Sequence, residues 1–193
     1  MNTIIVKLTI MLITGPFALT KDQTKEMYQD VKARLVAEVG VDLKLQKLRH
    51  RSDLFKQFST LNSRLQRYLS WKLWLTNTGR LKTKQLTYLV FPPMPHSDGK
   101  RYISGYASSI CTYKTFRTLS TGNAQMVNQD NQARLEHSKL VMGHELMHQL
   151  GAIHEDWTPN VMHPNAQIYV GSGSWWAVPI LPVTVSQVRK CTK

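Results

Sequence analysis

Near the start of the chain Ile4, Val6, Leu8, Ile10 and Leu12 alternate with Ile5, Lys7, Thr9 and Met11. Period-two alternation is the mark of a strand with one buried face, so a first strand is expected there. Residues 1–20 as a whole are apolar and end in Ala18-Leu19-Thr20, as a secretory leader also does. Lys7 interrupts that run, which favours the strand, with Met1 then a start added to a processed chain. Residues 22–39 carry Met27, Val31, Leu35 and Val39 at intervals of four, followed by Gly40 as a stop signal, and predict a helix. Val41, Leu43 and Leu45 alternate with Asp42, Lys44 and Gln46 and predict a second strand. A second helix is expected over residues 59–75, with Leu61, Leu65, Leu69 and Trp71 towards the core and Asn77-Thr78-Gly79 at its end.

Gln85–Phe91 is apolar on both faces, as a central strand should be. Strand, helix, strand, helix, strand is an α/β pattern with a mostly parallel sheet. After a proline-rich loop over residues 92–99, a short polar strand is expected at 101–107 and a cysteine-bearing connection at 108–120. A further strand is expected at 123–128, a long helix at 132–150 and a short terminal helix at 183–191. No repeat, low-complexity tract or linker divides the chain, so residues 1–193 are read as one domain.

An apolar share of 42% and a charged share of 19% belong to a globular chain rather than a disordered one. The formal charge of +13 and pI near 9.9 would favour polyanionic glycans or other acidic surfaces. The basic residues are scattered from Lys7 to Lys193 without a dense block, which fits a solvated surface equally well. No motif points to specific nucleic-acid binding, and no stretch is long and uncharged enough to span a membrane. Cys111 and Cys191 are too few for a disulfide scaffold and do not form a zinc-type pair. They are either two buried thiols or one bridge, worth about 3–5 kcal/mol in the loop-entropy model and implying an oxidising, extracellular setting.

The candidate chemistry lies in residues 144–154, His-Glu-Leu-Met-His-Gln-Leu-Gly-Ala-Ile-His. His144 and His148 are four apart and so share one face of a helix, where two imidazoles can hold one Zn²⁺. Glu145 beside them can act as general base. Gly151 can leave the helix through a conformation other residues resist, and that turn can return His154 as a third ligand. Three protein ligands leave one tetrahedral position for water, the arrangement of a catalytic rather than a structural zinc. By chance the five fixed positions would coincide in about one such sequence in 10⁵.

The run resembles the metzincin clan of zinc endopeptidases, whose extended motif His-Glu-x-x-His-x-x-Gly-x-x-His is followed by a methionine turn. Asn160-Val161-Met162-His163-Pro164 follows here, and the resemblance implies that Met162 forms the apolar floor of the metal site. Within the clan the chain is most similar to the adamalysin (reprolysin) family, through Ser104-Gly105-Tyr106-Ala107 and the nearby Cys111. That resemblance implies a Cys111–Cys191 bridge and secretion. It implies a twisted, mostly parallel five-stranded sheet with an antiparallel edge strand, an active-site helix and a small C-terminal subdomain. The two subdomains would meet near residues 151 and 152. An extended peptide substrate would lie against the edge strand at Tyr102, Ile103, Ser104, Gly105 and Tyr106. His163, Pro164, Asn165 and Ala166 would wall the pocket for the side chain just after the scissile bond.

Some positions depart from the pattern. Met147 replaces a usual glycine, and Glu155 follows the third histidine as in astacins, where adamalysins carry Asp. Pro164 stands where astacins place a metal-contacting tyrosine, so no tyrosine ligand is assigned. The interval from His154 to Met162 is closer to that of the matrix metalloproteinases. His50, His96 and His137 show no partner pattern, and a surface or capping role is expected for each. Trp157, Trp175 and Trp176 could contact substrate or pack.

The expectation is therefore a secreted, monomeric, zinc-dependent endopeptidase with one catalytic ion, acting on proteins or peptides through a water activated by Glu145. The alternative is a toxin-like binding module on the same scaffold that acts through its basic surface.

Overall fold

The computed structural model describes residues 3–13, 19–51, 85–91, 105–107, 117–123, 131–157, 159–164, 166 and 173–192. Five strands form one sheet in the order β2-β1-β3-β5-β4. They are β1 (Ile4–Ile13), β2 (Val41–Arg51), β3 (Gln85–Phe91), β4 (Gly105–Ala107) and β5 (Arg117–Asn123). β2, β1, β3 and β5 run parallel, and β4 pairs antiparallel to β5 at the sheet edge. The helices are α1 (Lys21–Arg34), α2 (Asn131–Gln149) and α3 (Pro182–Thr192).

The one-faced burial expected of β1 holds only in its first half, where Ile5 and Lys7 are exposed, whereas Thr9 and Met11 are buried. Val6, Leu8, Ile10 and Leu12 are buried in one cluster with Met27, Val31 and Leu35 of the α1 segment and Leu140, Met142 and Leu146 of α2. Met11, Thr87 and Leu89, at the alternate positions, are buried as well, so the sheet centre is covered on both faces as parallel strands require. The β1–β2 register slips between Leu8, opposite Leu45, and Thr9, opposite Lys47. This bulge reverses the parity of β2, so that Leu48 still packs on the core after Leu43 and Leu45.

α1 starts at a capping box. Thr20 accepts from the Gln23 amide, and the Gln23 side chain accepts from the Thr20 amide. The expected helix over 22–39 divides: Leu35–Val39 is a π-turn, closed by Gly40 at φ 78°. Two other expectations shift. A strand, Arg117–Asn123, begins within the segment read as a connection, and of the strand expected at 123–128 only Asn123 lies among the described residues. A 3-10 turn, Trp175–Ala177, appears where no regular element was expected. The helix predicted at 59–75, the loop at 92–99, and Tyr102, Ile103 and Ser104 lie outside the described residues. Among the described residues no helix is long and apolar enough to cross a membrane.

Candidate metal centre

α2 enters the core between α1 and β5 and carries His144, Glu145 and His148 in its last turns. Gln149, fully buried, donates from Nε2 to the Thr87 carbonyl (3.2 Å) and fixes this end of the helix to β3. The helix then ends in a Schellman-type turn. The Gly151 amide donates to the His148 carbonyl (3.0 Å) and the Ala152 amide to that of Met147 (2.9 Å). Gly151 holds φ 100°, a value that L side chains rarely adopt.

The turn brings His154 back beside the other two histidines. One ligand atom from each of His144, His148 and His154 lies within 4.8 Å of the others. Their ring centroids are 4.6 Å apart for His144–His148, 4.6 Å for His148–His154 and 5.3 Å for His144–His154. The carbonyls of Val161 and Ala152 accept from Nδ1 of His144 (2.6 Å) and His148 (2.8 Å). A carbonyl can only accept, so each Nδ1 carries the proton and each neutral ring has its lone pair on Nε2.

Those two Nε2 atoms are 3.0 Å apart. Burial, the largest cause, and the neighbouring histidines push His144 down to about 3. Burial likewise lowers His148 and His154. Facing lone pairs at that distance repel unless a cation lies between them. Two nitrogens about 2.0–2.1 Å from one tetrahedral Zn²⁺ would stand about 3.3 Å apart. The residues thus fit a zinc ion, with the Val161 and Ala152 carbonyls orienting the imidazoles of His144 and His148.

Glu145 is buried, and its Oε2 has no hydrogen-bond partner among the described residues. Burial holds its carboxyl well above the usual carboxylate range. Tyr88 of β3 is pushed well above its ordinary value, mainly by burial and further by the charge of Glu145.

The segment after His154 is tied down residue by residue. The Glu155 amide donates to the Met162 carbonyl (3.1 Å). Asn160 Nδ2 donates to the carbonyls of Glu155 (3.2 Å) and Trp157. Gln187 of α3 donates to the Glu155 carboxylate (2.8 Å) and accepts from the Ile153 amide (3.0 Å). Met162 is buried in the core cluster with Val161, on the turn that holds His144. Trp157 stands 77% exposed beside this region.

Among the other residues singled out, His163 is half-buried, Pro164 exposed and Ala166 buried in the core, while Asn165 lies outside the described residues. Gly105 and Tyr106 form part of edge strand β4. Cys191 sits half-buried on α3 and is not a free thiol; Cys111 lies outside the described residues. His137 corrects the expectation of a surface or capping role: it is 3% exposed, and its Nε2 has no partner among the described residues.

Trp175 is fully buried, and the polar cluster around it escaped sequence reasoning. Its indole donates to Asp30 (3.0 Å), as does that of Trp176 (2.8 Å), and its amide donates to Glu136 (2.9 Å). Lys139 bridges Glu136 (2.7 Å), Asp30 (3.2 Å) and Glu26 (3.3 Å). No periodicity announces such a cluster, because its members are drawn from α1, α2 and the 3-10 turn.

No family model matches the chain, and no curated relative matches it in sequence. Solved structures do match. Archaemetzincin from Methanopyrus kandleri superposes with a TM-score of 0.64 at 15% identity, over 96% of this chain and 94% of that one. Metalloproteinase-II from Bacteroides fragilis gives 0.61 at 14% identity over 99% of this chain, which spans 54% of that longer protein. A zinc-dependent peptidase from Methanocorpusculum labreanum gives 0.58 at 10% identity, over 94% and 99% of the two chains. The fold of the chain is accordingly the α/β fold of these zinc metallopeptidases.

Proposed function

We propose that the chain is a zinc-dependent endopeptidase of metzincin type, with His144, His148 and His154 as the ligands of one ion and Glu145 as the general base. The observation that carries this reading is the convergence of two Nε2 lone pairs at 3.0 Å, beside a buried carboxylate whose Oε2 is unpartnered. When bound there, zinc lowers the pKa of water towards ~7 and polarises a substrate carbonyl. Glu145 Oε2 takes a proton from the attacking water as its oxygen bonds to the scissile carbon. It then delivers that proton to the leaving amine as the C–N bond breaks. A carboxylate withheld from solvent is the stronger base, which suits the first transfer.

The substrate is assigned to the β4 edge, as an extended peptide antiparallel to Gly105 and Tyr106, and Tyr102, Ile103 and Ser104 are assigned to the same substrate contact. His163, Pro164, Asn165 and Ala166 are assigned to the pocket beyond the scissile bond. Within the clan we place the chain nearest the adamalysins, with a Cys111–Cys191 bridge and a secreted, monomeric protein. Mass measurement of the unreduced chain tests the bridge: two free thiols would contradict it.

The activity is tested with a quenched-peptide library, with and without a zinc chelator. Internal cuts that stop on chelation and return with zinc are expected. A folded, zinc-loaded chain that cuts nothing would favour the binding-module alternative. Glu145→Ala is expected to retain zinc while turnover falls about 10²–10⁴-fold.

A further inference from the structure

Arg34, the last residue of α1, is 1% exposed, and its guanidinium is shared among three acceptors. Nε donates to Glu38 (2.7 Å), Nη1 to the Trp175 carbonyl (2.5 Å) and Nη2 to the Val178 carbonyl (2.5 Å). Its Cζ also lies 4.4 Å from the Trp175 ring centroid. Burial of so polar a group is costly unless every donor is used, so the site holds a charge where an apolar side chain would fill the space more cheaply. The planar guanidinium presents its two NH2 groups in a rigid fork, which can hold two carbonyls in a fixed relation.

Those carbonyls lead to the metal centre by two routes. Pro179 follows Val178, and its carbonyl accepts from the Val161 amide (2.9 Å); the Val161 carbonyl accepts from His144 Nδ1 (2.6 Å). The second route is packing. The Trp175 ring lies where a Cβ on Gly143 would meet it at 2.8 Å, directly before His144 in α2. Both the hydrogen bond that orients the His144 ring and the backbone next to His144 thus rest on the segment that Arg34 clamps.

We propose that Arg34 is a positioning residue for the metal centre: by bracing the carbonyls of Trp175 and Val178 it fixes the Val161 carbonyl, and so the orientation of the His144 imidazole. This rests on the zinc reading above and adds to it a residue remote in sequence from the motif. Glu38 is the counter-charge that aims the fork, and it is only partly buried, so its replacement leaves the core intact.

The test is zinc affinity by competition with chelators of graded strength, on folded wild-type, Arg34→Lys and Glu38→Gln chains, together with the visible spectrum of the cobalt-substituted forms. Lysine keeps the charge but carries its donors on one nitrogen, without the planar fork that fixes the two carbonyls relative to each other. Arg34→Lys is expected to weaken zinc about 10–100-fold, as loss of outer-shell support does, and to alter the cobalt bands. Glu38→Gln is expected to act in the same direction by a smaller factor, because it leaves the guanidinium and both carbonyl contacts in place. Variants that bind zinc as wild type does, with unchanged cobalt bands and only a lower melting temperature, would reduce Arg34 to a stabilising residue and overturn the proposal. Should Arg34→Lys not fold, Glu38→Gln decides alone. A wild-type chain that takes up no zinc overturns the metal reading and this inference together.

Discussion

His137 and His144 lie on one helix, and burial pushes both down, to about 4 and about 3. For His144 the consequence is a lone pair held ready for a metal. For His137 it is a stability that depends on pH. Below its ordinary value of 6.5 the unfolded chain takes up a proton that the folded chain refuses until about 4. Stability from this group is therefore complete above pH 6.5 and falls as the pH drops towards 4, by about 3 kcal/mol in all. His137→Leu should flatten that fall in denaturation curves taken between pH 4 and 7; an unchanged slope would place the acid sensitivity elsewhere. His154→Ala should weaken zinc itself, read by chelator competition, and unchanged affinity would remove His154 from the ligand set. The motif made the three-histidine cluster legible in sequence because a helical turn and a glycine stop bring the rings together locally. The burial of His137 was illegible, since only tertiary packing decides which face of α2 is covered.

Elements were legible where their pattern was local and missed where partners imposed them. β1 and α2 follow their own periodicity, and Gly151 ends α2 as its position suggests. β5 reads Arg-Thr-Leu-Ser-Thr-Gly-Asn, with little apolar alternation. Its strand conformation comes from pairing with β3 on one side and β4 on the other. The bulge in β2 and the π-turn after Arg34 likewise have no signature in composition. α2 offers a test of packing against propensity. Gly143→Ala gains about 1 kcal/mol of helix propensity but drives a methyl into the Trp175 ring, at a cost of about 1–3 kcal/mol. A net loss of stability is expected, seen as a lower urea midpoint with altered tryptophan emission; a more stable variant would show that the indole yields easily.

For the whole molecule, a metal held by His144 and His148 on α2 and by His154 beyond its end would couple zinc to global stability. Zinc at about 100 times its dissociation constant should raise the melting temperature by roughly 5–10 °C for a chain of this size. A chelator should reverse the rise, and calorimetry with no shift would argue against a site formed only in the folded state. The mostly parallel sheet was readable as an α/β pattern, whereas the order of its strands and the closure of the C-terminal segment onto α1 were not. That closure has a consequence in time. Arg34 and Val178 are 144 positions apart, so at ordinary elongation rates Arg34 is added to the chain roughly 7–30 s before its acceptor. During synthesis the motif helix is complete while the brace behind it is still missing. The growing chain therefore carries its three histidines before it carries the segment that braces them, and the cluster around His144 is completed only once Trp175 and Val178 have joined Arg34.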